Sequence, residues 1–241
     1  MPFPIPRSGS TAGEPAYARV RDRLRDDLLS GQFAPGQRLT VAELSARYRT
    51  SSMPIRVALQ ELHGQGLVAL EPRRGARVRA VDEDFITNLY DLRIAVLTIL
   101  YPRAVRHLSD ADIEAVEAIQ DAAERATEAS DLSAVRRDTY RFHMRIYEAA
   151  RNPEAFRVME RTWVLVNALR ATYGFGPGRL EDANRNHREI VRALRARDAG
   201  RAIELARASA ERARADLIGL VVGAVREEAD GRASRAAGAG G

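Results

Sequence analysis

The 241-residue chain contains no cysteine. That absence excludes disulfide scaffolds, thiolate zinc sites, iron–sulfur clusters and cysteine nucleophiles. Lysine is absent as well, so all 38 basic residues are arginine. Long apolar runs are also missing. The longest near the C-terminus, Ile218 to Val225, is interrupted by two glycines and falls well short of the ~20 residues a membrane-spanning helix needs. Residues 1–14 have no long apolar core behind a basic start, unlike a secretory signal. They read as a flexible arm of a cytoplasmic protein.

What is present is globular in composition, with 45% hydrophobic and 29% charged residues. The charge is unevenly placed. Residues 1–82 carry 13 arginines and 8 acids, whereas residues 83–241 carry 25 of each. The whole net charge of +5 therefore sits in the first third. A basic head on a neutral body fits a nucleic-acid-binding unit joined to a sensing or dimerising one.

In the head, Tyr17, Val20, Leu24 and Leu28 recur at helical spacing. Breakers from Gly31 to Gly36 end that helix. Thr40 and Glu43 have the spacing of a capping box, with Leu39 and Leu44 placed to staple it. This starts a second helix running to about Tyr48. A third follows Met53-Pro54 and turns Ile55, Ala58, Leu59 and Leu62 inward. Residues 67–70 and 76–81 alternate around Glu71-Pro72-Arg73-Arg74-Gly75 as a hairpin does. Three short helices and a hairpin over residues 15–82 describe a winged helix-turn-helix, whose third helix enters the DNA major groove.

Residues 83–228 show no strand pattern. Asp82, Ser109 and Asn152-Pro153 are helix-start signals, and Gly174 to Gly178 is the strongest break. About six helices are expected, packed as an antiparallel bundle. The fold class is therefore mainly α. Residues 229–241, small and polar, read as a disordered tail.

Residues 31–39, Ser51-Ser52-Met53-Pro54-Ile55-Arg56-Val57-Ala58-Leu59, Gly66-Leu67-Val68 and Pro72-Arg73-Arg74-Gly75 together resemble the head of GntR-family transcriptional regulators. The resemblance implies groove contacts from Ser51, Ser52 and Arg56. It also implies contacts to phosphate or minor groove from Arg73 and Arg74 at the hairpin tip, with Gly75 allowing the turn. Ala42 and Ser52 stand where many relatives carry arginine, so operator preference does not transfer.

The body resembles the FCD effector domain of the FadR subfamily, through Tyr90-Asp91-Leu92-Arg93, Phe142-His143, Ala150-Arg151-Asn152-Pro153 and Asn186 to Leu194. This implies a helical bundle around a small-molecule pocket. Many such domains hold a divalent metal, which here would be zinc, nickel or manganese at His143 and His187. The remaining ligand positions are Thr139 and Ser209, with Asp138 turned about 100° away around the helix, so the ligand set is incomplete. The preferred reading is that Arg93, Thr139, His143 and His187 meet an effector directly. The planar fork of Arg93 suits a carboxylate or phosphate, a structural ion pair being the other reading; together with the histidine pair and the resemblance it makes an organic acid the expected effector class. Tyr140, Asn167 and Arg170 are further candidates for the interior, Trp163 is expected in the core, and His63 and His107 at the surface or a helix end.

The expected function is an effector-modulated transcriptional regulator, acting as a repressor and binding operator DNA as a homodimer. Two alternatives remain open at this point. One is a metal-dependent hydrolase or lyase built on His143 and His187; the other is an architectural DNA-binding protein with no effector.

Overall fold

The computed structural model describes residues 15–29, 32–34, 36–71, 74–79 and 81–238, with side chains described as far as residue 224 except that of Leu29. The arm expected over residues 1–14 and the hairpin residue Arg73 lie outside the described residues. The chain divides into two compact units, residues 1–80 and 81–241.

The first unit runs α1 (Ala16–Leu29), β1 (Arg38–Leu39), α2 (Val41–Tyr48), α3 (Ser52–Gly64), β2 (Val68–Glu71) and β3 (Gly75–Val78). Its core gathers the residues whose spacing marked them as inward: Leu24, Leu39, Leu44, Ile55 and Leu62 are all essentially buried. Thr40 and Glu43 form the full capping box, each side chain satisfying a backbone N–H of the other's turn. Arg49 closes α2 in the left-handed conformation, φ 50°, and the chain turns there into α3.

The hairpin gains a third strand, in the order β1-β3-β2. Arg38 and Leu39 pair with Arg77 and Ala76, while Val68 to Glu71 pair with Val78 to Gly75. Two residues are too few to show alternation, so β1 left no periodic signal in the sequence. Its presence changes the role of Gly75. Not only is φ +98° there, but a Cβ would lie 2.1 Å from the Leu39 carbonyl oxygen. Gly75 therefore lets β1 cross against the hairpin as well as allowing the turn.

The second unit contains α4 (Glu83–His107), α5 (Asp110–Glu128), α6 (Leu132–Ala149), α7 (Pro153–Tyr173), α8 (Arg179–Arg195) and α9 (Ala199–Gly238). Asp82, Ser109, Asp131 and Asn152 cap α4 to α7 by accepting from backbone amides of the first turn. The helices α4 and α9 pack along each other, α5 lies against α6 and α8, and α7 joins α4 and α6. Tyr101, Phe142, Tyr147, Leu100 and Ile146 form the buried centre. Helix α9 continues to Gly238, through most of the segment whose small polar composition reads as disorder. Alanine and arginine there favour helix intrinsically, a preference that outweighs the lack of an apolar face. Among the described residues no helix is long and apolar enough to cross a membrane.

Gly75→Ala is expected to cost the head about 2 kcal/mol or more, since positive φ strain alone is on the order of 1–3 kcal/mol and β1 must also shift. Denaturant unfolding of the full chain, followed on a head probe, checks this; an unchanged midpoint would remove the close crossing as a constraint.

Candidate functional site

In the head, the exposed face is set by the first turn of α3. Ser51 is its N-cap by backbone geometry but makes no side-chain capping bond, so its hydroxyl is left for another partner. Ser52, Met53 and Arg56 are exposed on the same end. Arg56 has no hydrogen bond or ion pair to any described residue. This differs from Arg38 and Arg77, which share Glu71. Arg74 is exposed at the hairpin tip, its carbonyl accepting from Arg38 Nε at 3.2 Å. Met53, on the same turn, is 66% exposed, an apolar side chain beside two serines and Arg56.

In the body, α4, α6, α7, α8 and α9 enclose a cavity of about 90 Å³. Arg93, Thr139, His143 and His187 all line it, as do Asn167, Arg170 and Ser209. Trp163 is buried and also forms part of the wall. Tyr140 does not line it but sits 6.4 Å from Trp163, ring to ring. Asp138 is buried yet faces Arg137 and Arg141, at 2.8 and 3.2 Å. His63 is exposed and His107 ends α4.

The protonation of the histidine pair follows from a chain of acceptors. Glu124 can only accept, so the Gln120 amide nitrogen donates to it at 3.1 Å. The Gln120 oxygen must then accept from His187 Nδ1, 3.0 Å away, which leaves the His187 Nε2 lone pair open. Burial, with the Arg179 charge nearby, pushes the His187 pKa down to about 3. His143 is likewise held well below the usual range by burial, by His187 and by Arg93 and Arg179. Its ring stands edge-on to His187 at 5.0 Å, while Phe142 stacks on His187 at 4.4 Å. Both imidazoles are neutral at physiological pH.

Around that neutral pair the wall is cationic. Arg93, Arg136, Arg170 and Arg179 line the cavity, and no aspartate or glutamate does. Arg93 is only 5% exposed. Its Nη1 donates to Thr162 at 2.9 Å, its guanidinium lies 4.4 Å from the Trp163 ring centre, and its buried Nε has no partner. Arg179 begins α8 and donates weakly to the Ser209 carbonyl at 3.4 Å, while its buried Nε and Nη1 make no hydrogen bond. Two of the four face acids outside the cavity: Arg170 pairs with Asp216 and donates to the Gly174 and Ala213 carbonyls, and Arg179 Nη1 lies 3.6 Å from Asp182 Oδ2. Arg179 and Gln120 were missed in the sequence, because a helix-start arginine and a polar residue on an amphipathic helix carry no motif.

The metal considered at His143 and His187 does not fit this donor set. Two imidazoles, the Thr139 and Ser209 hydroxyls and no carboxylate fall short of the three or four ligands a stable site uses. Among the described residues no group of three His, Asp or Glu could hold an ion. Arg93 and Arg179 would further repel a divalent cation.

Residues 88–212 match the FCD domain family, and residues 16–78 match the bacterial regulatory proteins of the gntR family. The chain is 28% identical to the HTH-type transcriptional repressor GlaR of Escherichia coli K12 over 76% of its own length and 87% of that protein. The solved structure of E. coli McbR/YncC superposes with a TM-score of 0.66 at 21% identity, covering 85% of this chain and 97% of that one. A GntR regulator from Rhodococcus sp. RHA1 gives a TM-score of 0.60 at 26% identity over 84% and 97%.

Because both imidazoles are neutral when folded but protonate near pH 6.5 when released, their contribution is complete above that pH and is lost as pH falls. Each is expected to remove up to about 1.4 kcal/mol of stability per pH unit below 6.5. Denaturant unfolding at pH 7.5 and 5.5 measures this. Equal acid sensitivity in a His143→Gln/His187→Gln variant would show that other groups carry it.

Proposed function

The chain belongs to the GntR family of bacterial regulatory proteins, with an FCD domain behind its DNA-binding head, and on that premise we propose that it is a one-component repressor acting in the cytoplasm. It is a sequence-specific DNA-binding regulator modulated by a small molecule, and not an enzyme. The alternatives of a metal-dependent hydrolase or lyase and of an effector-free architectural protein fall with that membership.

The observation that carries the reading in detail is the first turn of α3, where Arg56 stands exposed, without a partner among the described residues, beside Ser51 and Ser52. We assign these three to base edges and Arg74 to the DNA backbone, with Arg73 beside it. A guanidinium fork matches guanine through two parallel hydrogen bonds. A single recognition helix reads few base pairs, so a homodimer on a two-fold operator is the natural arrangement. Support for a partner copy comes from α4, where Leu92 and Ile99 are each 48% exposed. Together with the exposed Ala95 they form one stripe at spacings of three and four residues.

The effector is proposed to bind in the body cavity, against Arg93, Thr139, His143 and His187, and to be an organic acid. It changes operator affinity only by binding more tightly to one arrangement of the dimer than to the other. Repression then follows from occlusion of the promoter and is relieved when the effector favours the incompetent arrangement. A reporter under the bound promoter should rise when the chain is deleted; a fall would make it an activator.

Arg56→Ala is expected to lower discrimination at its base pair by about 1–3 kcal/mol, measured by competition among duplexes enriched from a random pool. Ile99→Asp should shift the protein from dimer to monomer in sedimentation velocity. An intact dimer would move the interface off α4.

A further inference from the structure

The cavity in the body is bounded at one end by a loop as well as by helices. Its half-buried lining residues, among them Arg136, Thr139, Asn167 and Leu180, lie where α6 begins, α7 ends and α8 begins, whereas Tyr90, Leu97, Tyr147 and Met159 further in are buried. Phe175 belongs to that half-buried end and stands in the connection from Gly174 to Gly178. It lines the cavity and packs with Leu180 against the buried Ala126, Ala134 and Val135. A side chain that meets the cavity on one side and solvent on the other is the boundary between them. The three glycines around it fall into two kinds. Gly174 and Gly178 have φ of 72° and 69°, and a Cβ at either would meet nothing within 4 Å, so they serve backbone freedom and not close packing. Residues of that kind at both ends of a short segment are suited to act as hinges. Gly176, between them, is not at positive φ but lies tight against α9. Its N–H donates to Asp216 Oδ1 at 3.1 Å. Asp216 also pairs with Arg170, whose guanidinium donates to the Gly174 carbonyl at 3.1 Å and lies 4.9 Å from the Phe175 ring centre. One carboxylate thus holds the middle of a loop that can turn at both ends.

Building on the reading of the body as the effector domain, we propose that residues 174–178 are the gate of its cavity, with Phe175 as the plug, Gly174 and Gly178 as the hinges and Asp216 as the latch. When the Gly176 N–H and Arg170 part from Asp216, the loop swings off α9 and Phe175 leaves its place beside Leu180. A small solute then passes Arg136 and Thr139 into the cavity. Opening breaks only the few bonds that Asp216 and Arg170 make to the loop, so it is a local event that leaves the buried centre around Phe142 and Tyr147 intact. Closing returns the wall and excludes water from the histidine pair. The gate therefore sets how fast an effector exchanges, separately from how tightly it is held.

Trp163 is the only tryptophan of the chain and forms part of the cavity wall, so quenching of its fluorescence by acrylamide reads access to the cavity without any effector. The chain has no cysteine, and a Cβ on Gly176 would lie 3.4 Å from Asp216 Cγ, which puts cysteines at these two positions within disulfide reach. The full-length Gly176→Cys/Asp216→Cys variant carries a latch that closes under oxidised glutathione and opens under dithiothreitol. The loss of the carboxylate opposite Arg170 is common to both states and cancels in the comparison. Oxidised, its Trp163 quenching constant should be no higher than that of the unaltered protein. Reduced, it should rise by on the order of 10-fold, the factor that goes with a charge-assisted hydrogen bond, with far-ultraviolet circular dichroism unchanged. Phe175→Ala, in which the latch is intact, should raise the quenching as well, and it decides the question if the double variant does not fold. Equal quenching in the two redox states, with the disulfide verified by intact mass, would overturn the gate. So would a rise that comes only with loss of helical dichroism, or a Phe175→Ala protein as protected as the unaltered one. If reduction exposes Trp163 but no small molecule shifts the melting temperature of the unaltered protein, the gate stands and the effector reading falls.

Discussion

The guanidinium of Arg93, held away from water with no carboxylate opposite it among the described residues, imposes the main constraint on the helical body. Such a group costs several kcal/mol unless its neighbours are arranged to tolerate it. The neighbours of Arg93 are arranged in that way: Thr162 accepts from one nitrogen, and the faces of Trp163 and Tyr90 offer π density at 4.4 and 5.8 Å. Arg170 is handled differently, by Asp216 and two backbone carbonyls. That pairing ties α7, the loop after it and α9 together, and it explains Gly176, where any Cβ would fall 2.3 Å from Asp216 Oδ1.

The same charges set the state of the histidines. Two imidazoles beside two cations cannot hold protons of their own at neutral pH, so they act as neutral hydrogen-bonding groups. Which nitrogen of His187 carries the hydrogen is decided two residues further back, by the inability of Glu124 to donate. Glu124 in turn is held ionised by Arg188 from α8, with Arg188 also reaching Asp121. A surface ion network thus fixes the tautomer at the centre of the cavity. One residue type is used in two environments: Arg56 is exposed, so a partner there would meet it at little desolvation cost, whereas Arg93 is already desolvated.

Much of the fold was legible from residue chemistry alone. Thr40 with Glu43, Ser109 with Asp112 and Asn152 with Pro153 announce helix starts through local hydrogen bonding, and each helix starts where they stand. The inward set Ile55, Ala58, Leu59 and Leu62 follows from the 3.6-residue period. The two-residue strand β1 was not legible, since its pairing with β3 is a contact across almost forty residues of chain, and neither was the helical continuation to Gly238.

For the site, the sequence by itself determined the chemical types available: a chain without cysteine or lysine, whose free charge collects in the head, and whose body carries His143, His187 and Arg93 on helices. Those facts depend on composition and local spacing, which need no folding to read. Only the tertiary structure decided which groups meet. It turned Asp138 toward Arg137 and Arg141 and away from the histidines, brought Arg179 from the far side of the Gly174 to Gly178 break to the cavity wall, and set Gln120 behind His187. Each of these is a matter of helix rotation and packing between distant segments, and it is this packing that leaves a cavity with two neutral imidazoles beside a buried Arg93 that has no carboxylate opposite it among the described residues.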